Sequence, residues 1–206
     1  MKTGQEVDED EPLEVLEKEH FVARSALKLA AALDAFGFSP GGRVCLDIGA
    51  STGGFTQVLI ERGAARVFAV DVGRGQLHPS LKAHPRVISM EATDARALAP
   101  GVFQVPIEAV TCDVSFISLL KVLPAILPLA HQNAWVAALV KPQFEVGRAL
   151  IGKGGIVKDE AAKRDAVTRV SASLEAAGWD VRGKLRSPIL GQDGNEETLL
   201  GAVRKA

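Results

Sequence analysis

The sequence has few aromatic residues: no tyrosine, two tryptophans and eight phenylalanines, or 5% of 206 residues. That scarcity argues against a broad surface for stacking nucleic-acid bases. Only two cysteines are present, Cys45 and Cys112, each beside an aspartate in an apolar run, which favours reduced core thiols over a secreted disulfide framework. No apolar run approaches the roughly 18 residues of a membrane span. We therefore expect a soluble, cytoplasmic protein that does not bind membranes.

The net charge of −1 conceals an uneven distribution. Residues 1–20 contain eight acidic residues and two lysines, a local charge of −6, so the remaining residues carry +5. This composition predicts a solvated or disordered acidic leader over residues 1–20, followed by one domain over residues 21–206. The mildly basic domain is compatible with a polyanionic partner but does not require one.

Apolar runs and helical patterns alternate along the domain. Helical spacing from Ala26 to Phe36 ends at Gly37, a second helical pattern spans Phe55–Arg62, and a third, interrupted by Pro124 and Pro128, spans Leu119–Ala130. The predicted strands are Arg43–Ile48, Arg66–Val72, Arg86–Met90, Ala109–Val114 and Ala134–Val140. Strands that are apolar on both faces and alternate with helices predict a parallel sheet covered on both sides.

The C-terminal part departs from this alternation. Asp159 is a candidate cap for a helix that ends at Gly178. Two further runs, Val181–Ile189 and Glu197–Val203, flank a turn over residues 191–195. We therefore predict a sixth strand and an antiparallel seventh strand in the same sheet.

The segment CLDIGASTGGF, residues 45–55, can be interpreted in two ways. Gly49–Gly53 fits the G-x-S-x-G pattern of a hydrolase nucleophile elbow, which would need a set such as Ser51, Asp113 and His131. However, only one helix precedes it, and no glycine-rich oxyanion loop lies upstream. The alternative is a nucleotide-binding loop between the first strand and the next helix.

The residues around this loop favour a nucleoside without a pyrophosphate. Ser51 replaces a glycine of the dinucleotide fingerprint, and no Lys-Ser/Thr pair follows Gly54 as in a P-loop. Asp47 suits a cationic ligand, Asp71 lies where an acid reaches ribose hydroxyls, and Asp94 could accept a hydrogen bond from an adenine amino group. A ribose, an adenine and a cationic centre together describe S-adenosylmethionine.

With these residues in place, the chain resembles the methyltransferase domain of the TlyA family, known as hemolysins or ribosomal RNA methyltransferases, within the FtsJ-like (RrmJ) ribose methyltransferases. The similarity runs from Phe21 to Val203. It is carried by the segments RSALKLAAALDAF, CLDIGASTGGFT, VFAVDVGRGQL, CDVSFISL, ALVKPQFEVGR, GKGGIVKD and SPILGQDGNEE. The resemblance implies a Rossmann-like class I methyltransferase fold and 2′-O-ribose methylation of ribosomal RNA, with S-adenosylmethionine as cofactor and no metal.

FtsJ-like enzymes resemble one another in a Lys-Asp-Lys-Glu tetrad at the methyl-transfer site. The motif matches place it at Lys28, Asp113, Lys141 and Glu197. Methylating a hydroxyl requires alignment with the S–CH₃ bond and removal of the hydroxyl proton. The resemblance therefore implies that Lys141 accepts a proton or hydrogen bond from the hydroxyl, that Asp113 orients Lys141, and that Lys28 and Glu197 position the ribose.

Further residues are expected to contact the cofactor or the RNA around the predicted pocket. The expected cofactor-binding residues are Asp47, Gly49, Ala50, Ser51, Thr52, Gly53, Gly54, Phe55, Asp71, Val72, Asp94 and Asp113. The expected contacts to RNA phosphates are Arg24, Arg74, Arg148, Lys153 and Lys158. The loop at residues 147–158 either closes over bound RNA or is simply mobile and solvated.

The chain departs from the TlyA pattern in two respects. TlyA proteins usually carry an RNA-binding S4 domain before the methyltransferase, whereas only the acidic leader stands here. The sequence is either a piece of a longer chain or a stand-alone version, and in both cases we expect lower affinity for ribosomal RNA. The usual Tyr-x-Ser-Arg-Gly-Gly is replaced by residues 21–26, FVARSA. The alternatives are a catalytically silent RNA-binding module and, less favoured by the pattern, a serine hydrolase or a membrane-damaging hemolysin.

Overall fold

The computed structural model describes residues 20–205, and the predicted acidic leader lies outside them except for His20. A single seven-stranded sheet has the order β3-β2-β1-β4-β5-β7-β6. Strands β1 to β5 are parallel to one another, and β7 is antiparallel to both β5 and β6. The predicted sheet with an antiparallel last strand is therefore confirmed. The strands are β1 (Val44–Ile48), β2 (Arg66–Val70), β3 (Val87–Met90), β4 (Ile107–Cys112), β5 (Ala130–Val140), β6 (Trp179–Arg186) and β7 (Thr198–Arg204).

Helices cover both faces of the sheet. Side chains of α1 and α2 pack on one face, and those of α4 and α6 pack on the other. The predicted helices are confirmed to within a few residues, whereas the two four-residue helices, α3 and α5, are too short to produce a periodic pattern and were not predicted. The helices are α1 (Ser25–Phe36), α2 (Gly54–Glu61), α3 (Pro79–Lys82), α4 (Leu119–Ile126), α5 (Pro142–Glu145) and α6 (Glu160–Ala176).

The helix ends follow the expected local chemistry. Gly37 ends α1 in the left-handed conformation, and the Asp159 carboxylate accepts from the backbone N–H groups of Ala161 and Ala162 at the start of α6. Pro128 lies in a short 3₁₀ segment, Leu127–Leu129, that follows α4, whereas Pro124 is accommodated inside that helix.

One edge of the sheet collects residues from distant parts of the chain. Gly49 follows β1, Asp71 follows β2, Asp113 follows β4 and Lys141 follows β5. Because β7 runs in the opposite direction, Glu197, which precedes it, lies at the same edge. Strand β1 lies between β2 and β4, so the strand order reverses there, as at the ligand-binding crevice of a Rossmann-like sheet.

Close packing against glycine sets the position of α1. The Phe36 ring, at the end of α1, lies against Gly201 of β7 and Gly183 of β6, where an added Cβ would collide with the ring or press on it. Leu29 and Leu33 of the same helix are fully buried. The helix is thereby held over β5 and β7, with its first turns at the edge that carries Gly49 and Glu197.

The two cysteines are free and buried, as predicted. Burial raises the pKa of the Cys45 thiol to about 12, and the pKa of Cys112 is raised further for the same reason. Both thiols are therefore protonated at neutral pH.

Asp47, in the central strand β1, is completely buried. Its two carboxylate oxygens accept hydrogen bonds from Thr56 Oγ1 at 2.6 Å and from Thr111 Oγ1 at 2.8 Å. Burial raises the pKa of Asp47 to about 6, although the two threonine hydroxyls oppose the rise and the Asp113 charge adds to it. The carboxylate thus ties β1 to α2 and β4 at a cost in stability when it is ionised.

We expect Asp47→Asn to change how stability depends on pH. The pKa of Asp47 is raised in the folded state, so its stabilising contribution is present below its unfolded pKa and is lost as pH rises through about 6. Between pH 5 and pH 7.5 the free energy of unfolding of the parent should fall, relative to Asp47→Asn, by about 1.5 kcal/mol. Urea unfolding of both proteins across this range measures the difference. A constant difference would contradict the assignment.

Candidate active site

A cavity of about 670 Å³ lies at the sheet edge described above. The four residues of the expected tetrad, Lys28, Asp113, Lys141 and Glu197, all line it. Ala50, Ser51 and Thr52 of the glycine loop form another part of the wall. Segments separated by up to 169 residues therefore meet around one space.

Lys28 and Glu197 form a buried ion pair. Lys28 Nζ donates to Glu197 Oε2 at 2.5 Å, and the exposed fractions of the two side chains are only 8% and 2%. Gly191 lies against the Glu197 carboxylate, and a Cβ there would be 2.5 Å from Glu197 Oε1. A charge this buried requires its partner, since removing one member leaves the other uncompensated.

The second ion pair joins Lys141 Nζ to Asp113 Oδ1 at 2.6 Å. The ammonium also donates a hydrogen bond to Ser115 Oγ at 2.8 Å. The Asp113 oxygen is close enough for an ion pair, but its contact with the ammonium lacks the angles of a hydrogen bond. Asp113 and Ser115 thereby fix the position of the Lys141 amine at the cavity wall. Sequence reasoning did not identify Ser115, since a lone serine in a loop has no distinctive spacing.

A second cavity, of about 620 Å³, adjoins the first. Asp71, Val72 and Asp94 line it. The residues common to both cavities are Gly49, Ser51, Ser115, Phe116 and Gln192. A ligand in the second cavity would therefore reach the tetrad across the wall that these residues form.

Asp71 organises the floor of the second cavity. Its Oδ2 accepts from Ser51 N at 2.8 Å and its Oδ1 accepts from Gly73 N at 2.7 Å. Ser51 has a positive φ of 49°, so this hydrogen bond supports a backbone conformation that is uncommon for serine. Each carboxylate oxygen retains a lone pair for a further donor.

Asp94 is already engaged by a neighbouring residue. Its carboxylate accepts from Arg96 Nε at 3.0 Å and from Arg96 Nη2 at 2.6 Å, and these bonds hold the pKa of Asp94 below its ordinary value. Arg96 lines the same cavity. A donor such as an adenine amino group would have to share Asp94 with this guanidinium, which sequence reasoning did not anticipate.

The glycines of the loop permit close approach between elements. A Cβ on Gly49 would lie 2.5 Å from the Asp113 carbonyl oxygen, and one on Gly54 would collide with Ser25 Oγ at the start of α1. Gly53, at a φ of 102°, packs against Leu81. Gly53 and Gly54 are buried and line neither cavity, whereas Phe55 lines the first.

The expectation that Asp47 contacts the cofactor directly needs correction. Its carboxylate has no exposed surface and faces Thr56 and Thr111. It lies beneath the glycine loop and can act on a ligand only through that loop.

Of the five residues expected to contact RNA, one lines the cavities described above and four do not. Arg24 lines the first cavity, and its Nη2 donates to the Leu190 carbonyl at 3.5 Å. The other four residues line neither this cavity nor the adjoining one: Arg74, Arg148, Lys153 and Lys158. Asn195 fastens the loop at residues 147–158, accepting from Val157 N and donating to the Gly155 carbonyl, both at 2.9 Å.

Phe116 was not identified from the sequence. It is 92% exposed, has a positive φ of 64°, and lies on the wall common to both cavities. Its ring contacts Phe144 with the centroids 5.3 Å apart. A large aromatic side chain in this conformation and this exposed is uncommon and indicates a functional site.

Glu145 fixes the two loops that carry these rings. Its Oε2 accepts from Ser118 Oγ at 2.6 Å and its Oε1 accepts from Leu119 N at 2.7 Å. The segment after β5, with Lys141 and Phe144, is thereby held against the segment after β4.

The structure does not assemble the hydrolase set. Ser51 lies at the carboxyl ends of the strands, whereas His131 lies at the start of β5, on the opposite edge of the sheet. Its Nδ1 contacts the neighbouring Gln132 carbonyl. Over residues 20–205 no helix combines the length and the apolar composition needed to cross a bilayer.

Comparison with known proteins identifies relatives over most of the chain. This chain is 48% identical over 180 residues to the 16S/23S rRNA (cytidine-2′-O)-methyltransferase TlyA of Mycobacterium tuberculosis. The match covers 87% of this chain and 67% of that protein. A crystal structure of a Lactococcus lactis protein described as a candidate hemolysin has a TM-score of 0.88 at 40% identity, over 91% of this chain and 90% of that chain.

A more distant structure shares only the fold. It is the magnesium protoporphyrin IX methyltransferase of Synechocystis with bound S-adenosylmethionine, which has a TM-score of 0.59 at 17% identity, over 88% of this chain and 78% of that chain. The predicted Rossmann-like methyltransferase fold is confirmed. The model of the FtsJ-like methyltransferases matches residues 21–204, so the chain belongs to that family.

Proposed function

We propose that this protein transfers the methyl group of S-adenosylmethionine to a ribose 2′-hydroxyl of ribosomal RNA. The observation that carries the proposal is the meeting of Lys28, Asp113, Lys141 and Glu197 around one cavity beside the glycine loop. Family membership supports methyl transfer, and the named activity of the Mycobacterium tuberculosis relative supports the 2′-hydroxyl and ribosomal RNA as the target.

The second cavity fits the nucleoside part of the cofactor. Its volume of about 620 Å³ lies within the usual range for small-molecule sites. Asp71 follows β2, where an acid accepts from ribose hydroxyls, and the backbone around Gly49 admits no side chain. Among the residues that the structure describes, Arg96 is the one cation on this wall and is paired with Asp94, so they form no basic cluster for a pyrophosphate.

The bound cofactor supplies an activated methyl group on a positively charged sulfur. Transfer breaks the S–CH₃ bond, forms an O–CH₃ bond and releases the hydroxyl proton. Lys141, held by Asp113 and Ser115, is in position to accept the hydrogen bond of the hydroxyl and to receive its proton when the amine is unprotonated. Lys28 and Glu197 hold α1 and the start of β7 in place around the ribose.

Phe116 supports a nucleotide as the substrate. Scarcity of aromatic residues argues against a broad stacking surface, but one exposed ring at the junction of the two cavities suits a single base that has left its stack. Arg24, at the rim, suits an adjacent phosphate.

Incubation with methyl-labelled S-adenosylmethionine and intact bacterial ribosomal subunits tests the proposal. We expect label in ribosomal RNA, on a ribose oxygen of one or a few nucleotides that can be mapped. Cofactor binding without labelled RNA would instead favour a catalytically silent RNA-binding module.

Lys141→Ala should reduce the rate of methyl transfer by about 10²- to 10⁴-fold, because it removes the group that aligns and deprotonates the hydroxyl. Cofactor affinity, measured by calorimetry, should stay within about threefold of the parent. Lys205→Ala is a matched control, since Lys205 is exposed and follows the far end of β7. Equal turnover in the Lys141 variant and the parent would remove the role assigned to Lys141.

Asp71→Ala should weaken S-adenosylmethionine binding by about 10- to 100-fold, because hydrogen bonds from the ribose hydroxyls to a carboxylate are lost. Calorimetry with a cofactor analogue that lacks these hydroxyls separates this effect from a disturbed Ser51 loop. The analogue should bind parent and variant equally. If its binding weakens as much as that of the cofactor, Asp71 acts only by shaping the loop.

Phe116→Ala should raise KM for RNA by about 5- to 150-fold, which is the change in affinity expected from the loss of one base–aromatic stacking contact. Phe116→Trp should retain the parent KM, because it keeps an aromatic face. Steady-state kinetics with varied RNA concentration give both values. An unchanged KM in the alanine variant would show that the ring does not contact the base.

A further inference from the structure

A third concave surface lies on the other side of Glu197. We call it the α6–β6 groove, a space of about 500 Å³ between the first half of α6 and the ends of β5, β6 and β7. It is lined by Val140, Pro142, Glu160, Lys163, Arg164, Val167, Thr168, Lys184, Arg186, Glu196, Glu197 and Thr198.

The groove adjoins the methyl-transfer cavity, with Glu197 in the wall between them. Glu197 lines both, and Pro142, on the groove wall, directly follows Lys141. A polymer whose reacting unit occupies the cavity must continue beyond it in both directions. The groove offers one such direction at the same edge of the sheet.

Among the described residues, four cations and three carboxylates line the groove, an excess of one positive charge. Lys163 Nζ is bonded to Glu160 at 2.7 Å and to Glu196 at 3.2 Å, and Arg186 pairs with Glu196. Arg164 and Lys184 form no ion pair with any carboxylate in residues 20–205. Glu197 adds no free negative charge, because Lys28 neutralises it from the other side.

The chemistry of the groove fits a nucleic-acid strand. Within residues 20–205, Arg164 and Lys184 are exposed cations outside any ion pair, and Val140, Pro142 and Val167 add apolar surface to the same groove. This excess of positive charge favours a polyanion, since each contacted phosphate releases bound counterions when it is neutralised.

We propose that the α6–β6 groove binds the backbone of the RNA strand that flanks the target nucleotide, with Arg164 and Lys184 each contacting a phosphate. This inference rests on the proposed function, because it takes RNA to be the substrate. It places a backbone contact outside the residues that perform methyl transfer, so the groove contributes to RNA affinity and not to the chemical step.

The test uses the full chain and a short, fluorescently labelled single-stranded RNA oligonucleotide. Binding is measured by anisotropy at several salt concentrations for the parent and for Arg164→Gln combined with Lys184→Gln. The variant should bind more weakly, and the slope of log Kd against log salt should fall by about 1.4, or about 0.7 for each lost phosphate contact. Cofactor affinity and kcat at saturating RNA should equal those of the parent.

A matched control carries Arg66→Gln and Lys205→Gln. Both residues are exposed, and both lie at the opposite edge of the sheet, at the start of β2 and after β7. The control removes the same charge, so a general electrostatic effect would change both slopes equally. An unchanged slope in the groove variant, or an equal change in the control, would overturn the proposal.

These measurements distinguish a failure of the groove proposal from a failure of the proposed activity. If the parent methylates RNA but the groove variant keeps the parent slope, only the groove proposal is wrong. If the groove variant loses slope but the parent yields no methylated RNA, the groove stands and the proposed activity is wrong. A parent that binds no RNA would contradict both.

Discussion

The buried ion pair between Lys28 and Glu197 is the contact on which the site depends. It joins the first turn of α1 to the residue that precedes β7, across 169 positions of sequence. Burying both charges costs several kcal/mol for each ion, which only a close and well-packed pair can offset. The packing of Phe36 on Gly201 and the contact of Gly191 with Glu197 provide that closeness. The helix and the hairpin therefore cannot separate without exposing the pair or leaving a buried charge unpaired.

The other half of the site is held by the parallel sheet. Asp113 and Lys141 follow adjacent parallel strands, so their meeting results directly from the pairing of β4 with β5. Gly49 lets the segment after β4 approach the segment after β1, and Asp47 fastens the same strands from below at a cost in stability. A polar group buried at such a cost beneath a ligand loop is consistent with a site that trades stability for a fixed loop conformation.

Periodicity and strand-end logic were sufficient for the architecture, because buried parallel strands leave long apolar signals. Asp71, Asp113 and Lys141 lie at the C-terminal ends of predicted strands, so strand-end logic placed all three at one edge of the sheet, and the family resemblance then assigned the roles of Asp113 and Lys141. Lys28 and Glu197 were identified only from the family resemblance. Neither hydrophobic periodicity nor position at a strand end distinguishes a lysine or a glutamate whose partner lies 169 residues away. Phe116, Ser115 and Glu145 were missed because backbone conformation and loop-to-loop contacts leave no periodic trace. The burial of Asp47, which lies inside a predicted apolar strand, was misjudged, and the pairing of Asp94 with Arg96 was not anticipated.

Charge balance distinguishes the chemical site from the surfaces around it. The methyl-transfer cavity is lined by three cations, Arg24, Lys28 and Lys141, and by three carboxylates, Asp113, Asp193 and Glu197, so it exerts little net attraction on a polyanion. In the proposed reaction a neutral hydroxyl approaches a cationic donor, and a balanced cavity suits this step because excess positive charge would repel the donor. Under the proposed function, most of the attraction for RNA then comes from outside the cavity. Among the three cavities described, the α6–β6 groove has the excess of cations that this requires, and Glu197, neutralised by Lys28, separates the two environments.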